Sequence, residues 1–492
     1  MSLLKSILGW LKGVCDWSFQ GGATIPASTD PIRHVILLMF ENHSFDQMLG
    51  CFQSLFLNEV DGVDSANPRS NKDSIGRDYF QRASSDPVVS PDPKHEVEHI
   101  LNSLKDGNSG FVSEYEREYR DTTPTTPEQR QRIIDYFGPD DLPALHALAR
   151  NFTICDHWFS SVPGPTWTNR FFAYSGTSKG IVDMPQHVED TDLYLHYDQD
   201  TIFDRLNEKG IPWRVYFGDV PNSLVLRHQQ HPDNALNYRF MHSFASDIQG
   251  PEKEFPSFSL IEPNYMKGEQ NDDHPPHSTM RAQRLLAHVY NTLRKYEELW
   301  RSTLLVVLYD ENGGFYDHVP PPTAVPPDQF QEKYTFDRLG VRVPALLVSP
   351  WVDRQVLSTE FDHTSVLKYL TEKWKLGPLT ERVNQAKSFS GIFRTSPRND
   401  TPESVPVPPL TVQAGTSGIA DVELAEPLND NQNALLAFSK HLEQQTTIPP
   451  APPGPVAMET APFAADPLIE SEQAKQRVEA FLNQQKAKAI VS

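Results

Sequence analysis

Only three cysteines, Cys15, Cys51 and Cys155, occur in the 492 residues, and no two of them form a Cys-x-x-Cys pair. A disulfide framework is therefore excluded, and so is a metal site built on thiolates. No run of ~18 apolar residues is present, so the sequence predicts no membrane-spanning helix. Positive charge is scarce: 44 Lys and Arg stand against 65 Asp and Glu, a formal net charge of -21. Neutralising a nucleic-acid backbone takes Lys and Arg, which argues against a general nucleic-acid binder and leaves room only for a local basic pocket.

What remains suits a large enzyme. The length allows an extensive core, and a hydrophobic content of 38% with 10% aromatics is that of a globular chain carrying some polar, Pro-rich sequence. Residues 1–30 form a segment of their own. Leu3, Leu4, Ile7, Leu11 and Val14 fall on one helical stripe, which fits a docking helix, a helix lying in a membrane surface or an unusual export signal. Lys5 and Lys12 interrupt any signal-peptide core, and no good small-residue cleavage site follows.

Five short β-branched runs read as buried strands: 34–40, 212–218, 257–262, 303–310 and 343–350. Helical patterns lie between them at 201–210, 278–300 and 363–377. This alternation predicts an α/β fold with a mainly parallel central sheet covered on both faces. In such sheets ligands collect at the carboxyl ends of the strands. Residues 31–395 are expected to form the catalytic domain. From 396 to 492 the chain turns Pro-rich, with two helical stretches near 430–445 and 468–488, and reads as an extension that wraps or tethers.

Residues 95–99, His-Glu-Val-Glu-His, match the H-E-x-x-H signature of zinc proteases. Pro93 before and Gly107 after allow a helix there. The longer metzincin pattern fails, because Asn102 and Lys105 stand where Gly and His belong. Glu114, Glu116 and Glu118 keep a third ligand open on spacing alone, but five-residue motifs with two free positions are common by chance.

Four other constellations carry more chemistry. Glu41 and Asn42 follow a strand end, and Ser44 with Gln47 reads as a capping box opening a helix. Asp310 and Glu311 end the strand at 303, before Gly313-Gly314. Adjacent carboxylates repel in a buried strand, but at its end both can reach one divalent cation. Thr166 follows the tight turn of Gly164-Pro165, and Arg170 can clamp an anion through two N–H groups. The histidines are His95, His274, His277, His318 and His363, each with a plainer reading as a satisfied surface residue.

These blocks together carry a resemblance. "ENHSFDQMLG", "DDLPALHALARNFTICDHWFSSVPGPTWTNRFF", "FPSFSLIEPNY", "NDDHPPHS", "YDENGGFYDHVPPP" and "FDHTSVLKYL" occur in order over residues 31 to 385. They resemble the bacterial phosphoesterase family of phosphatidylcholine-type phospholipases C and acid phosphatase, a branch of the alkaline-phosphatase-like superfamily. The resemblance implies an α/β/α sandwich with one divalent metal ion (zinc, magnesium, calcium or manganese) beside a Ser or Thr nucleophile. By motif, Glu41, Asn42, Asp310 and Glu311 would be metal ligands, and Thr166 nucleophile and ligand at once. His95 and His274 would contact the phosphoryl group or leaving oxygen, with His318 and His363 as further candidates.

The resemblance thus implies hydrolysis of a phospholipid or small phosphoester through a phospho-threonine intermediate. Aromatics around Thr166 (Trp158, Phe159, Trp167, Phe171, Phe172, Tyr174) would either cage a choline cation or form core. The rival classes are an acid phosphatase for small monoesters and a non-catalytic lipid- or phosphate-binding protein. Peripheral membrane contact through the N-terminal stripe is a further expectation. The resemblance implies an exported protein, whereas the sequence shows no clear signal peptide and leaves a cytoplasmic location open.

Overall fold

The computed structural model describes residues 30–55, 59–185, 196–409, 428–446 and 467–491. The N-terminal stripe lies outside them. Among the described residues, no helix is long and apolar enough to cross a membrane.

Five strands fall where the β-branched runs predict them: β1 (His34–Phe40), β5 (Trp213–Phe217), β7 (Phe258–Glu262), β8 (Thr303–Tyr309) and β9 (Ala345–Val348). β4 (Thr153–Cys155), β6 (Tyr238–Phe240) and β10 (Val356–Leu357) complete an eight-stranded sheet in the order β10-β4-β9-β8-β1-β7-β5-β6. β2 (Ser70–Lys72) and β3 (Asp78–Phe80) pair separately. β8, β1, β7, β5 and β6 run parallel, while β9 runs antiparallel to both β8 and β4. An antiparallel neighbour needs no crossover helix, and no helix occurs between β8 and β9. Every residue of β1, β7, β8 and β9 is buried, as strands covered on both faces must be.

The crossover helix Thr279–Arg294 leads into β8, and a second short helix, Glu297–Trp300, interrupts the single helix predicted over 278–300. The helix Thr364–Trp374 stops at Lys375, which takes the left-handed cap at φ 52°, two residues before the predicted stop at Gly377. The helix Phe45–Leu49 starts with Ser44 accepting from the Gln47 backbone at 3.3 Å. The Gln47 side chain bonds His43 instead of closing the box. The helices Asp430–Gln445 and Pro467–Val491 put Leu435, Phe438, Val478 and Phe481 into the main core.

β1 and β8 pair in register from His34–Thr303 to Phe40–Tyr309. Their next residues, Glu41 and Asp310, therefore emerge side by side at the carboxyl edge of the sheet. Two glycines let the β8 turn close on its neighbours. Gly313 has φ 60°, and a Cβ there would meet the Asn42 carbonyl oxygen at 2.2 Å. Gly314 has φ 72°, and its Cβ would meet Pro93 and the Lys94 carbonyl. Both positions need a residue without a side chain. Gly313→Ala is expected to cost about 2 kcal/mol or more, from positive φ and backbone overlap together. Urea unfolding checks this through a lower midpoint at unchanged slope.

Candidate active site and metal centre

Glu41, Asn42, Thr166, Arg170, Asp310 and Glu311 are all 0% exposed. Asn42 takes a left-handed conformation at φ 60°, which Asn tolerates better than most residues. Its backbone N–H donates to Asp310 Oδ1 at 3.3 Å, and the Glu311 N–H donates to the same oxygen at 2.7 Å. Arg170 Nε donates to Asp310 Oδ2 at 2.9 Å, and Nη2 lies 3.3 Å from Glu41 Oε1. Arg170 is therefore committed to two carboxylates, and of its N–H-bearing nitrogens only Nη1 lacks a partner among the described residues. Its role is to hold the strand ends, and the two-pronged anion clamp expected of it is spent on them.

Thr166 is the first residue of the helix Thr166–Ser175, after Pro165 in extended backbone. It sits one turn before Arg170, hence on the face that meets Glu41 and Asp310. The preceding loop is pinned by Asn169, which accepts from Val162 N and donates to the Val162 and Gly164 carbonyls at 2.9–3.1 Å. A helix start is also where a phosphate is electrostatically favoured.

His95 Nδ1 meets the Pro93 carbonyl at 2.9 Å, so that nitrogen carries the hydrogen and Nε2 accepts from Asn42 Nδ2 at 3.2 Å. His95 Nε2 is also 3.9 Å from Glu311 Oε1. His274 Nδ1 meets its neighbour's carbonyl at 2.6 Å, which leaves the Nε2 lone pair without a partner among the described residues. The two imidazoles stand edge to face at 5.5 Å. Burial, then the adjacent His95 and His277, hold His274 well below the ordinary histidine range. His363 Nε2 donates to the Asp310 carbonyl at 2.5 Å and braces the strand end from behind.

Within this ligand set, four buried oxygens have no hydrogen-bond partner among the described residues: Glu41 Oε2, Asn42 Oδ1, Thr166 Oγ1 and Glu311 Oε1. Each orphaned polar atom costs on the order of 1–3 kcal/mol unless something fills its place. Burial pushes Glu41 and Glu311 well above the usual carboxylate range; Asp310 adds to both shifts, and Arg170 opposes that of Glu41. Hard, unpartnered oxygens among three carboxylates and one guanidinium fit a divalent cation. Of the five residues that the resemblance implies as ligands, only Asp310 is already satisfied by protein donors.

Several residues fall elsewhere. His318 pairs with Asp46 at 2.8 Å and Asp61 at 3.0 Å, and none of its partners belongs to the Glu41 set. Asp46, Asp317 and His318 are near enough to grip a cation, but the Arg342 guanidinium already binds Asp317 at 2.9 Å and Asp46 at 3.0 Å. Asp200, Asp204 and His228 form a second, more exposed group. The zinc-protease reading fails on geometry: the helix begins at Val97, so His95 precedes it, while His99 bonds Glu114 at 2.7 Å. The aromatics around Thr166 are core, at most 1% exposed, with Phe171 against Tyr197 and Phe172 against Phe336.

Two contributors escaped the sequence reading. Asp92 lies inside the "DPKH" block and puts Oδ1 3.9 Å from His274 Nδ1. Asn431, in the C-terminal extension, donates to Glu41 Oε1 at 2.8 Å. Its only local signal is the capping box formed by Asn429 and Gln432.

A mainly parallel sheet that gathers carboxylates, an amide and a helix-start hydroxyl at its carboxyl edge defines a class: an α/β enzyme with a candidate metal centre for ester hydrolysis. The chain belongs to the phosphoesterase family, whose model matches residues 32–377. It is 34% identical over 448 residues to non-specific phospholipase C3 of Arabidopsis thaliana, covering 83% of this chain and 82% of that protein. It is 25% identical to the non-hemolytic phospholipase C of Pseudomonas aeruginosa, covering 83% and 64%. A solved alkaline phosphatase superfamily protein from Vibrio parahaemolyticus is similar at 10% identity and a TM-score of 0.31, over 71% of this chain and 67% of that one. That likeness is slight, and the fold class rests on the sheet itself.

The Asp46–His318 network makes a pH prediction. Burial opposes the charged imidazole, but Asp46 and Asp61 outweigh it and raise His318 to about 9. A folded value above the unfolded value of about 6.5 stabilises the fold fully below pH ~6.5, and this contribution is lost as pH rises through the folded value. Thermal stability should therefore fall from pH 7 to 9.5 in the wild type and fall less in His318→Asn. Melts across that range, with the His318 ring titrated by NMR, check it.

Proposed function

We propose that this protein is a metal-dependent phospholipase C that cleaves phosphatidylcholine-type lipids. The observation that carries the reading is the set of buried, unpartnered oxygens on Glu41, Asn42, Thr166 and Glu311, gathered at the ends of β1 and β8 and the start of the Thr166 helix. The phospholipase C names of its relatives support the substrate class.

A single divalent cation held by Glu41, Asn42, Thr166, Asp310 and Glu311 would neutralise charge on a phosphate oxygen and lower the pKa of the Thr166 hydroxyl. Zinc, magnesium, calcium and manganese all suit oxygen donors of this kind. Thr166 Oγ1 attacks phosphorus in line. The Oγ1–P bond forms as the bond from phosphorus to the glycerol oxygen breaks. His274 Nε2, with its free lone pair, takes up the hydroxyl proton and returns it to the departing glycerol oxygen. His95 stays beside the phosphoryl group, its ring fixed by Pro93 and Asn42. Water then cleaves the phospho-threonine and releases the phosphorylated head group. The helix start favours the negative charge of both phosphorylated states.

One observation favours a second reading, small phosphomonoesters as substrates: every proposed ligand is 0% exposed, which suits a small ligand better than a lipid. Comparing hydrolysis of phosphatidylcholine with that of nitrophenyl phosphate separates the two. For Thr166→Ala, turnover should drop at least about a thousandfold with the fold intact. Unchanged turnover would remove Thr166 from the mechanism.

A further inference from the structure

We propose that Asn431, from the C-terminal helix Asp430–Gln445, is a positioning residue of the catalytic centre that orients Glu41 toward the cation; this rests on the metal-site reading above. Asn431 is 1% exposed and its amide is used at both ends. The Trp167 indole Nε1–H donates to Asn431 Oδ1 at 2.9 Å, and Asn431 Nδ2 donates to Glu41 Oε1 at 2.8 Å. An indole N–H can only donate, so it fixes which end of the amide is oxygen and leaves the NH2 facing Glu41.

The consequence falls on one carboxylate. Glu41 Oε1 is held by Asn431 and by Arg170 Nη2, while Oε2 keeps no partner among the described residues. One oxygen is thus tied to protein, and the other is left for a cation. Without Asn431, Glu41 is free to turn and offer both oxygens to Arg170, the two-pronged pairing that guanidinium geometry favours. The amide also links Glu41 to the residue next to Thr166, so it sets the spacing between ligand and nucleophile.

The helix start is anchored for this task. Gln432 donates to the Tyr265 carbonyl at 2.7 Å, Asp430 pairs with Lys94 at 3.1 Å, and Asn429 and Gln432 close a capping box. Lys94 adjoins His95, and Tyr265 lies under the Arg170 guanidinium at 5.2 Å. A tether alone needs only the apolar face of Leu435 and Phe438, and it would not need a buried amide bonded to a strand-end carboxylate.

The test measures Mn2+ binding to the full-length protein by calorimetry, with folding followed by thermal melts. Wild type should bind one Mn2+, and Asp310→Asn should abolish binding. Asn431→Ala should bind about 10–100-fold more weakly, with turnover recovering as Mn2+ is raised. Leu435→Ala, which loosens the helix without touching the site, should lower the melting temperature and leave Mn2+ affinity unchanged. If Asn431→Ala does not fold, Trp167→Phe, which frees the amide to rotate, should weaken binding by a smaller factor. Unchanged Mn2+ affinity in the Asn431 and Trp167 variants, or higher turnover at unchanged affinity, overturns the positioning role and leaves the metal site standing. If wild type binds no Mn2+, or Asp310→Asn binds it equally well, the metal-site reading itself fails and takes this proposal with it.

Discussion

The Arg170 guanidinium, wholly buried between Glu41 and Asp310, is the contact on which the rest of the centre depends. Carboxylates at the ends of two adjacent strands cannot share a dry site without compensation. One guanidinium compensates part of their charge and fixes their geometry, since its Nε and Nη2 reach different carboxylates. It also explains the helix. Arg170 must come from the first turns of Thr166–Ser175 to reach the sheet edge, and that requirement delivers Thr166 to the same place. Charge balance and the placement of the Thr166 hydroxyl are therefore one constraint. The negative charge that Arg170 leaves uncompensated is what would give a divalent cation its purchase.

The molecule holds a second buried guanidinium that shows the other outcome. Arg342 binds Asp317 and Asp46, fills the space between them, and leaves His318 to join as a charged partner. Neither carboxylate there retains an orphaned oxygen, whereas the Glu41 set retains several. The two clusters have similar composition and opposite degrees of satisfaction. Satisfaction separates a cross-brace from a site that still has room for a ligand.

Much of this was legible from local sequence, because the signals are local. Asp310-Glu311 after six apolar residues, and Glu41-Asn42 after another six, break the strand pattern in the way a ligand site does. Thr201 and Thr364 mark helix starts for the same reason: each occupies the first or capping position of a local motif. What stayed hidden is non-local. β4 and β10 are three and two residues long and owe their existence to pairing partners far away in sequence. The H-E-x-x-H match looked helical because its residues suit a helix, yet His95 is drawn out of it by Pro93 and Asn42. Asn431 reaches Glu41 across 390 positions, and the capping box beside it marks a helix start but not that contact.

That last contact changes what the Pro-rich region is for. A segment that only wrapped the sheet would be expected to spend its polar residues on solvent. Instead the first turn of Asp430–Gln445 commits Asp430, Asn431 and Gln432 to Lys94, Glu41 with Trp167, and Tyr265. All of these belong to or adjoin Thr166, Arg170, His95 and the strand-end carboxylates. Each such bond requires ordering a helix that follows a Pro-rich stretch, an entropic cost that apolar burial of Leu435 and Phe438 offsets. The apolar face thus supplies the stability, and the polar first turn uses it to complete the shell around Glu41. The strand-end carboxylate Glu41 and the Asp430–Gln445 helix are coupled, so the sheet edge alone is an incomplete description of the candidate site.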